Sequence, residues 1–511
     1  MPVRVTTAAE AAARDAAAIA AGTPSYALMQ AAGGAAARWI LSHYPAVRTD
    51  GALCVAGAGN NGGDAWVVAG VLAAAGCPVG VVEAAPPSTN DATRARGDVR
   101  PRLAEAHDPA RPAVVVDGLL GTGASGELRE SFWPHLELIA QHRANGAVVV
   151  ALDAPSGIDA TTGAGGRCVR ADATLTFGTV KRGLLLRRDE AGAIACLDIG
   201  LGEHAAIGDG APTLVDEAFV RAAIPPIPAD AHKGVRRRLA VVGGGEGMAG
   251  APMLAARGAM RSGIGMVQLL VAPTNVPVVQ AALPETMAAR WPVTAEDQGR
   301  VLGWTHCLLL GPGLGRTAMT RALIERLLVE WQGPVVLDAD ALNVFEGEPR
   351  TLGSLLGARP AIVTPHPVEA GRLLRRDVAT VSAARFEVGT ELAKQLGATV
   401  ILKGVPSVIS SPDGRVAVSA SGSPTLGTAG SGDVLAGIVA TLLAQTGDAF
   451  AAAASGAWIH GRAGEFAASQ GSVRGTSLED VVVALREAWR LDSPPLAADV
   501  LAELPAAGHA R

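Results

Sequence analysis

Two Gly-rich segments of this 511-residue chain carry side-chain oxygens at spacings suited to nucleotide chemistry. The first, GAGNNGGDAW (57–66), follows the apolar run ALCVA and precedes VVAGVLAAAG. Gly57, Gly59 and Gly62 satisfy G-x-G-x-x-G, and Glu83 ends the next apolar run, the spacing of a dinucleotide fingerprint. A glycine turn between a buried strand and a helix lets backbone amides approach a phosphate at the positive helix end. Asn60, Asn61 and Asp64 offer more side-chain oxygens than a pyrophosphate clamp requires. The second segment, GTAGSGDVLAG (427–437), opens a helix with small residues whose amides can form an anion hole. Asp433 then stands at the helix start, facing the place of a transferred phosphoryl group, where it can take the proton of an acceptor hydroxyl.

Further strand ends repeat the theme. VVVDGLLGTGASGE supplies Asp117, Gly121, Thr122 and Gly123, and VVVALDAPSGID supplies Asp153 and Ser156. Ligands of open α/β sheets bind beyond the carboxyl ends of strands, so these loops are expected to converge. Oxygen-only ligation favours a hard cation over zinc. In the second half, GPGLG (311–315), DADALN (338–343), TPHPVE (364–369) and LKGVPS (402–407) support the Asp433 loop. Lys403 is placed to reach a nucleotide phosphate, His366 between two prolines reads as a ligand contact, and Glu369 suits magnesium held through water. Plainer readings stand beside these: turn caps for the aspartates, a helix-dipole partner for Asp433, a surface lysine for Lys403 and a core histidine for His366.

Such loops need rigid strands beneath them. From residue 52 the runs ALCVAG, PVGVVEA, PAVVVDGLLG and AVVVALDAPSG alternate with helical stretches, followed by the weaker ATLTFG and AIACLDIG. Continuous Val-rich runs punctuated by Gly and Asp predict a parallel sheet buried on both faces. The rhythm breaks at AAIPPIPADAHKG (222–234), whose prolines mark a linker. A second series runs from RLAVVGGGEG through MVQLLVAP, HCLLLGPGLG, GPVVLDADALN, PAIVTPHPVEA and ATVILKGVPS to the Asp433 helix. The expected class is α/β, with two three-layer α/β/α domains over 1–222 and 223–511. The tail LDSPPLAADVLAELPAAGHAR carries little signal.

Composition bounds the partners. Hydrophobic residues make up 49% and charged residues 18%, enough for two large cores. Aromatics are 3% and the net charge is −5, which argues against nucleic-acid binding. Arg236, Arg237 and Arg238 read as a solvated strand entrance. Five scattered cysteines without a C-x-x-C pair fit core thiols in a reducing cytoplasm. At the N-terminus, Glu10 and Asp15 spoil a signal-peptide core, whereas Thr7 with Glu10 forms a capping box and Gly22 a helix stop. No run approaches ~20 apolar residues, so neither a membrane span nor a membrane partner is expected.

Over roughly residues 10–220, GAGNNGGDAW, DGLLGTGASGE, ALDAPSGIDATTG and TLTFGTVKRGL together resemble the N-terminal domain of the NAD(P)H-hydrate epimerases. The resemblance implies a Rossmann-like domain that epimerises the R and S hydrates. It implies potassium held by Asn61, Asp117 and Ser156. Contacts to the hydrated nucleotide would come from Asn60, Asn61, Gly62, Gly63 and Asp64, from Gly121, Thr122, Gly123, Ala124, Ser125, Gly126 and Glu127, and from Asp153. The hydrate is a carbinolamine, and inverting it calls for an acid/base group and a stabiliser of developing charge. Asp153 and Lys181 are the candidates, with a surface role open for Lys181. Ala65 departs from the family's usual Gly and should crowd the loop slightly.

From about residue 232 the chain resembles the ADP/ATP-dependent NAD(P)H-hydrate dehydratases, with a ribokinase-like fold. HKG, GMAGAPMLAARGAMRSGIGMVQLLVAP, LPETM, GPGLG, LDADALN, TPHPVEA and GTAGSGDVLAG fall in that family's order. The likeness implies that Lys403, Gly404, Val405, Pro406 and Ser407 bind ADP. It implies the same of Ser423, Pro424, Thr425, Leu426, Gly427, Thr428, Ala429, Gly430, Ser431 and Gly432. Ala251, Gly313, His366 and Asp433 would contact the hydrate, whose dehydration would consume ADP and release AMP and phosphate. Departures at HKGVRRR and Val368 affect local loop shape. The expected partners are hydrated NADH or NADPH and ADP, with magnesium and potassium, in a cytoplasmic homo-oligomer. Rival readings are an NAD-dependent oxidoreductase, a vitamin or sugar kinase, and a non-catalytic nucleotide-binding scaffold.

Overall fold

The structure, a computed structural model, describes residues 2–103, 109–124, 126–206 and 210–506. The chain forms two compact units, Met1–Thr213 with Pro494–His509, and Leu214–Ser493.

In the first unit a seven-stranded sheet runs in the order Val500–Leu504, Ala193–Leu197, Ala173–Phe177, Val148–Leu152, Val114–Gly118, Ala52–Ala56, Val79–Glu83. All neighbours are parallel except Val500–Leu504, which pairs antiparallel with Ala193–Leu197. Successive side chains enter opposite cores. Cys54, Val114, Val116 and Val150 bury on one face, and Leu53, Val55, Val115 and Val149 on the other. This double burial is what the unbroken Val-rich runs encode. From Ala52–Ala56 the chain steps to Val79–Glu83 on one side and then to Val114–Gly118 on the other, so the topological switch point lies where GAGNNGGD begins. The helix Asn60–Ala74 follows at once. Glycine is required there for close approach: a Cβ on Gly57 would lie 1.9 Å from the Leu119 carbonyl oxygen, and one on Gly62 would lie 1.8 Å from that of Gly57. The expected capping box starts the helix Ala8–Ala20, with Thr7 and Glu10 each accepting the other's backbone N–H.

The second unit carries a ten-stranded sheet in the order Met287–Arg290, Met266–Val271, Arg238–Val242, Cys307–Leu310, Val335–Leu337, Ala361–Val363, Thr399–Leu402, Ser407–Ser410, Val416–Ser419, Thr213–Leu214. It is parallel through Thr399–Leu402 and then turns antiparallel. Leu239, Val241 and Leu309 face one core, and Ala240, Val242 and Leu310 face the other. The helices Gly250–Arg261 and Ser431–Thr446 run side by side in one direction. A Cβ on Gly430 would meet Leu254, one on Gly258 would meet Val434, and the Thr441 hydroxyl lies on Ala259. Both N-termini therefore open at the same end.

The units divide at 213/214 rather than at 222/223. Val215 already donates its N–H to Val418, and Val220 of the helix Glu217–Ala223 is buried in the second core. The proline-rich stretch thus lies within the second unit. The tail returns to the first unit, because Val500–Leu504 caps the open edge of that sheet. That pairing joins Val500 to Leu197, a partnership that no local pattern of residues contains. Among the described residues, no helix is long and apolar enough to cross a membrane, and the five cysteines are free, with only Cys168 partly exposed.

Candidate functional sites

A cavity of about 540 Å³ opens beyond the carboxyl ends of the first sheet. The loops contribute Asn60, Asn61, Asp64, Gly121, Thr122, Gly123, Ala124, Asp153 and Lys181 to its wall. Lys181 is 2% exposed, and its ammonium donates to Asp153 Oδ1 at 2.6 Å and to the Phe177 carbonyl at 2.9 Å. The surface reading of Lys181 is thereby set aside. Thr122 N–H donates to Asp153 Oδ2 at 3.3 Å. Burial acts to raise the Asp153 carboxyl, but the Lys181 charge and these hydrogen bonds outweigh it and hold it below the usual range. Asp153 also sits at φ +61, a left-handed conformation that Asp and Asn tolerate better than most residues. Asp64 shows the opposite effect: burial, then the charges of Asp153 and Asp15, push its carboxyl well above the usual range.

Asp117 is fully buried and, among the described residues, bonded only by neutral donors: Ser156 N–H at 2.9 Å, Ser156 Oγ at 2.7 Å and Leu119 N–H at 3.2 Å. Burial raises its carboxyl to about 6, against the pull of those bonds. Ser156 Oγ also accepts from Leu120 N–H at 2.9 Å. Asn61 presses on the same loop: a Cβ on Gly121 would lie 3.1 Å from its carboxamide carbon. Among the described residues, neither buried polar atom of that carboxamide has a hydrogen-bond partner. Asn61, Asp117 and Ser156 are thus gathered around residues 118–121.

Other expectations fall differently. Gly62 and Gly63 pack inward against Gly57 and Met29 instead of lining the cavity, and Gly126 and Glu127 are exposed outside it. Ser125 lies outside the described residues. Asn60 accepts from the Thr89 hydroxyl at 2.7 Å, and Glu83 is held by Arg96 at 2.6 Å. The Ala65 methyl is accommodated because its neighbour is Gly118, where a Cβ would lie 2.5 Å away. Asp15, which sequence reading passed over, lines the cavity with Ile19 from the N-terminal helix, and its carboxyl is raised by burial. An acid in an Ala-rich helix that, unlike Glu10, serves no cap was the available signal.

In the second unit Asp433 occupies the first turn of Ser431–Thr446, as its sequence context predicts. Burial, then the negative charges of Asp338, Glu369 and Asp340, raise its carboxyl to about 7 against the opposing pull of Lys403. Lys403 Nζ lies 2.9 Å from Asp338 and 3.9 Å from Glu369. A Cβ on Gly432 would lie 3.2 Å from Lys403 Nζ, so the lysine abuts the helix N-terminus. Asp338, which also accepts from Thr364 at 2.7 Å, is the anchor that the sequence reading left unassigned within DADALN. Gly313 and Ala251 meet, since a Cβ on Gly313 would lie 3.1 Å from the Ala251 methyl.

His366 has a structural task. Its Nδ1 accepts the N–H groups of Val368 and Glu369, while Glu369 accepts the His366 N–H at 2.9 Å, a capping box for Pro367–Leu374. Burial lowers its pKa, so the ring is neutral, and its half-exposed edge remains open to a ligand. The loop Gly404–Pro406 includes the exposed Val405, and Ser423 caps the short turn Pro424–Gly427. Thr428 donates to Thr425, and Gly430 takes φ +91 just before the helix. His460, unnoticed in the sequence, lies 3.2 Å from Ser431 Oγ.

Both sheets thus carry glycine loops and a buried carboxylate–lysine pair beyond the carboxyl ends of their strands, the organisation of a two-domain α/β enzyme acting on nucleotides. Comparison with known families agrees. The model described as NAD(P)H-hydrate dehydratase matches residues 239–486, and that of the YjeF-related protein N-terminus matches 25–183. The bifunctional NAD(P)H-hydrate repair enzyme of Moorella thermoacetica is 35% identical over 90% of this chain and 91% of its own length. That of Gloeobacter violaceus is 37% identical over 94% and 96%. A solved ADP/ATP-dependent NAD(P)H-hydrate dehydratase from Bacillus subtilis, co-crystallized with ATP and Mg2+, is 28% identical, covering 55% of this chain and 99% of that one, with a TM-score of 0.48. The chain belongs to the family of bifunctional NAD(P)H-hydrate repair enzymes.

Proposed function

We propose that the first unit epimerises the R and S hydrates of NADH and NADPH, and that the second dehydrates the S hydrate with ADP. The observation that carries this reading is Asp433. It is a carboxyl raised to about 7, in the first turn of a helix and beside a lysine pinned at that helix's N-terminus. A base poised near working pH can take the proton of the hydrate hydroxyl as that oxygen attacks the terminal phosphorus of ADP. AMP departs, and the hydroxyl, a poor leaving group, becomes a phosphate ester. The ring nitrogen's lone pair then expels phosphate, and loss of a proton from the adjacent carbon restores the double bond. Lys403 and the first-turn amides orient and neutralise the phosphates. Among the described residues no three acidic side chains close on one metal point, so magnesium would enter with the nucleotide. The excess negative charge that raises Asp433 would favour it through its water ligands. Bound mainly to the phosphates, with Asp338 and Glu369 reached through water, it would supply further positive charge to them.

In the first unit the reading assigns proton transfer at the carbinol to Asp153 and Lys181, with the nucleotide across Asn60, Asn61, Asp64 and residues 121–124. Potassium fits Asn61, Asp117 and Ser156, on the evidence of the unpartnered Asn61 carboxamide and the buried, uncompensated Asp117. When bound it supplies positive charge at the loop that faces the nucleotide. At about ten times its Kd, potassium is expected to contribute about 1.4 kcal/mol, raising the Tm by about 3–6 °C for a unit of this size. Thermal melts in potassium against choline chloride measure this, and an equal shift in Asp117→Asn would refute the site. Five free thiols support a reducing compartment.

The decisive experiment incubates purified protein with both hydrate epimers and ADP, following NADH by absorbance and AMP by chromatography. Full NADH recovery with stoichiometric AMP is expected. No recovery with either ADP or ATP would sink the reading, and a stable phosphorylated product would favour a kinase.

A further inference from the structure

The segment Ser421–Ser431, which contains most of the proposed nucleotide loop, is held by one face of the helix Ala449–Ser469. Its residues at 458, 460, 461, 464 and 465 recur at helical spacing. The Ser421 hydroxyl donates to the Trp458 carbonyl at 3.1 Å, and Gly422 N–H donates to Glu465 Oε1 at 2.8 Å. The Thr425 hydroxyl reaches the Gly464 carbonyl at 3.4 Å. Gly461 and Gly464 allow this closeness, for a Cβ on Gly461 would lie 2.2 Å from Ser421 Oγ and one on Gly464 would lie 2.7 Å from Leu426. The last contact in the row is His460 Nε2 to Ser431 Oγ, 3.2 Å, with both residues buried. Ser431 opens the helix whose first-turn amides, at Gly432 and Asp433, have no acceptor within the helix.

We propose that His460 is a positioning residue for the nucleotide: through Ser431 it fixes the helix start whose amides receive the ADP phosphates. Burial, and then the Lys403 charge, lower its pKa to about 4, so the ring stays neutral and adds no charge beside the phosphates. The neutral ring acts as a hydrogen-bonding wedge. Without it, Ser431 Oγ is left buried and unpaired, the first turn loses its register, and the phosphates lose aligned donors.

This inference rests on the second unit binding ADP, so calorimetry of ADP with the full-length wild-type protein comes first. His460→Leu is expected to raise the Kd and KM for ADP about tenfold while the hydrate KM changes less than twofold. His460→Gln, whose amide can still donate to Ser431, should recover most of the affinity. Ser431→Ala should match His460→Leu, and the double variant should be no worse than either, since one contact is removed in each case. Unchanged ADP affinity in folded His460→Leu and Ser431→Ala proteins overturns the proposal, as does an equal loss for ADP and hydrate. Wild-type protein that binds neither ADP nor ATP overturns the reading beneath it, and the proposal with it.

Discussion

Asp433→Asn is expected to lower kcat for dehydration about 10³-fold, within the ~10²–10⁴ range of a positioned general base, while ADP binds as tightly as before or tighter. The carboxyl is raised to about 7 by burial and by Asp338, Glu369 and Asp340. Below that pH it is protonated and cannot accept the hydroxyl proton. Wild-type kcat/KM is therefore expected to rise with pH through about 7 and then level off. Stability runs the other way. A carboxyl whose folded pKa lies above its unfolded value stabilises the fold while protonated, and that contribution is lost as pH climbs from the unfolded pKa of ~3.9 through about 7. Asparagine mimics the protonated form, so Asp433→Asn should melt higher than wild type at pH 8 and close to it at pH 4. A variant that keeps full activity, or a pH–rate profile that falls through 7, would remove Asp433 from the base role. The two measurements separate catalysis from folding because they move in opposite directions.

The second large effect concerns the buried pair in the first unit. Lys181→Met should destabilise that unit by ~3–5 kcal/mol, because Asp153 is left buried and charged without its partner. Epimerisation should fall about 10²–10⁴-fold, judged against the spontaneous rate. Instability and lost chemistry are confounded in that variant. Asp153→Asn combined with Lys181→Met separates them. Asparagine tolerates the left-handed backbone at 153, and the double change removes both charges, so much of the stability should return. The activity should not. Denaturant melts read the first quantity, and interconversion of the two hydrates read by chromatography gives the second. An active double variant would show that the pair only braces the cavity, and Asp64 with Asp15 would then be the acids to examine.

The glycine loops were legible because backbone sterics demand them. At Gly57 and Gly62 any Cβ would strike a carbonyl oxygen, so the turn is written in residue type. Strands buried on both faces were legible for the same kind of reason, since parallel β-structure covered by helices must be apolar at every position. The opening fingerprint misled only in its outlier: Glu83, spaced as a ribose ligand, is engaged by Arg96. His366 reads as a ligand contact and Glu369 as a magnesium partner through water, yet their hydrogen bonds cap a helix. Local spacing cannot distinguish a cap from a ligand contact, because both place oxygen or nitrogen beside free amides.

Residue type and order alone determined the class of each half, the carboxyl-end loops, Asp433 at its helix start and the family. Those features arise from contacts within a few residues, or from burial that every position in a strand must meet. Tertiary structure alone decided that Lys181 is buried on Asp153, that Asp338 anchors Lys403, that Asp15 lines the first cavity and that His460 meets Ser431. It alone carried the last strand back to the first sheet. Each of these joins residues far apart in the chain, and their pKa values follow from desolvation and neighbouring charge, which no local pattern of residues contains.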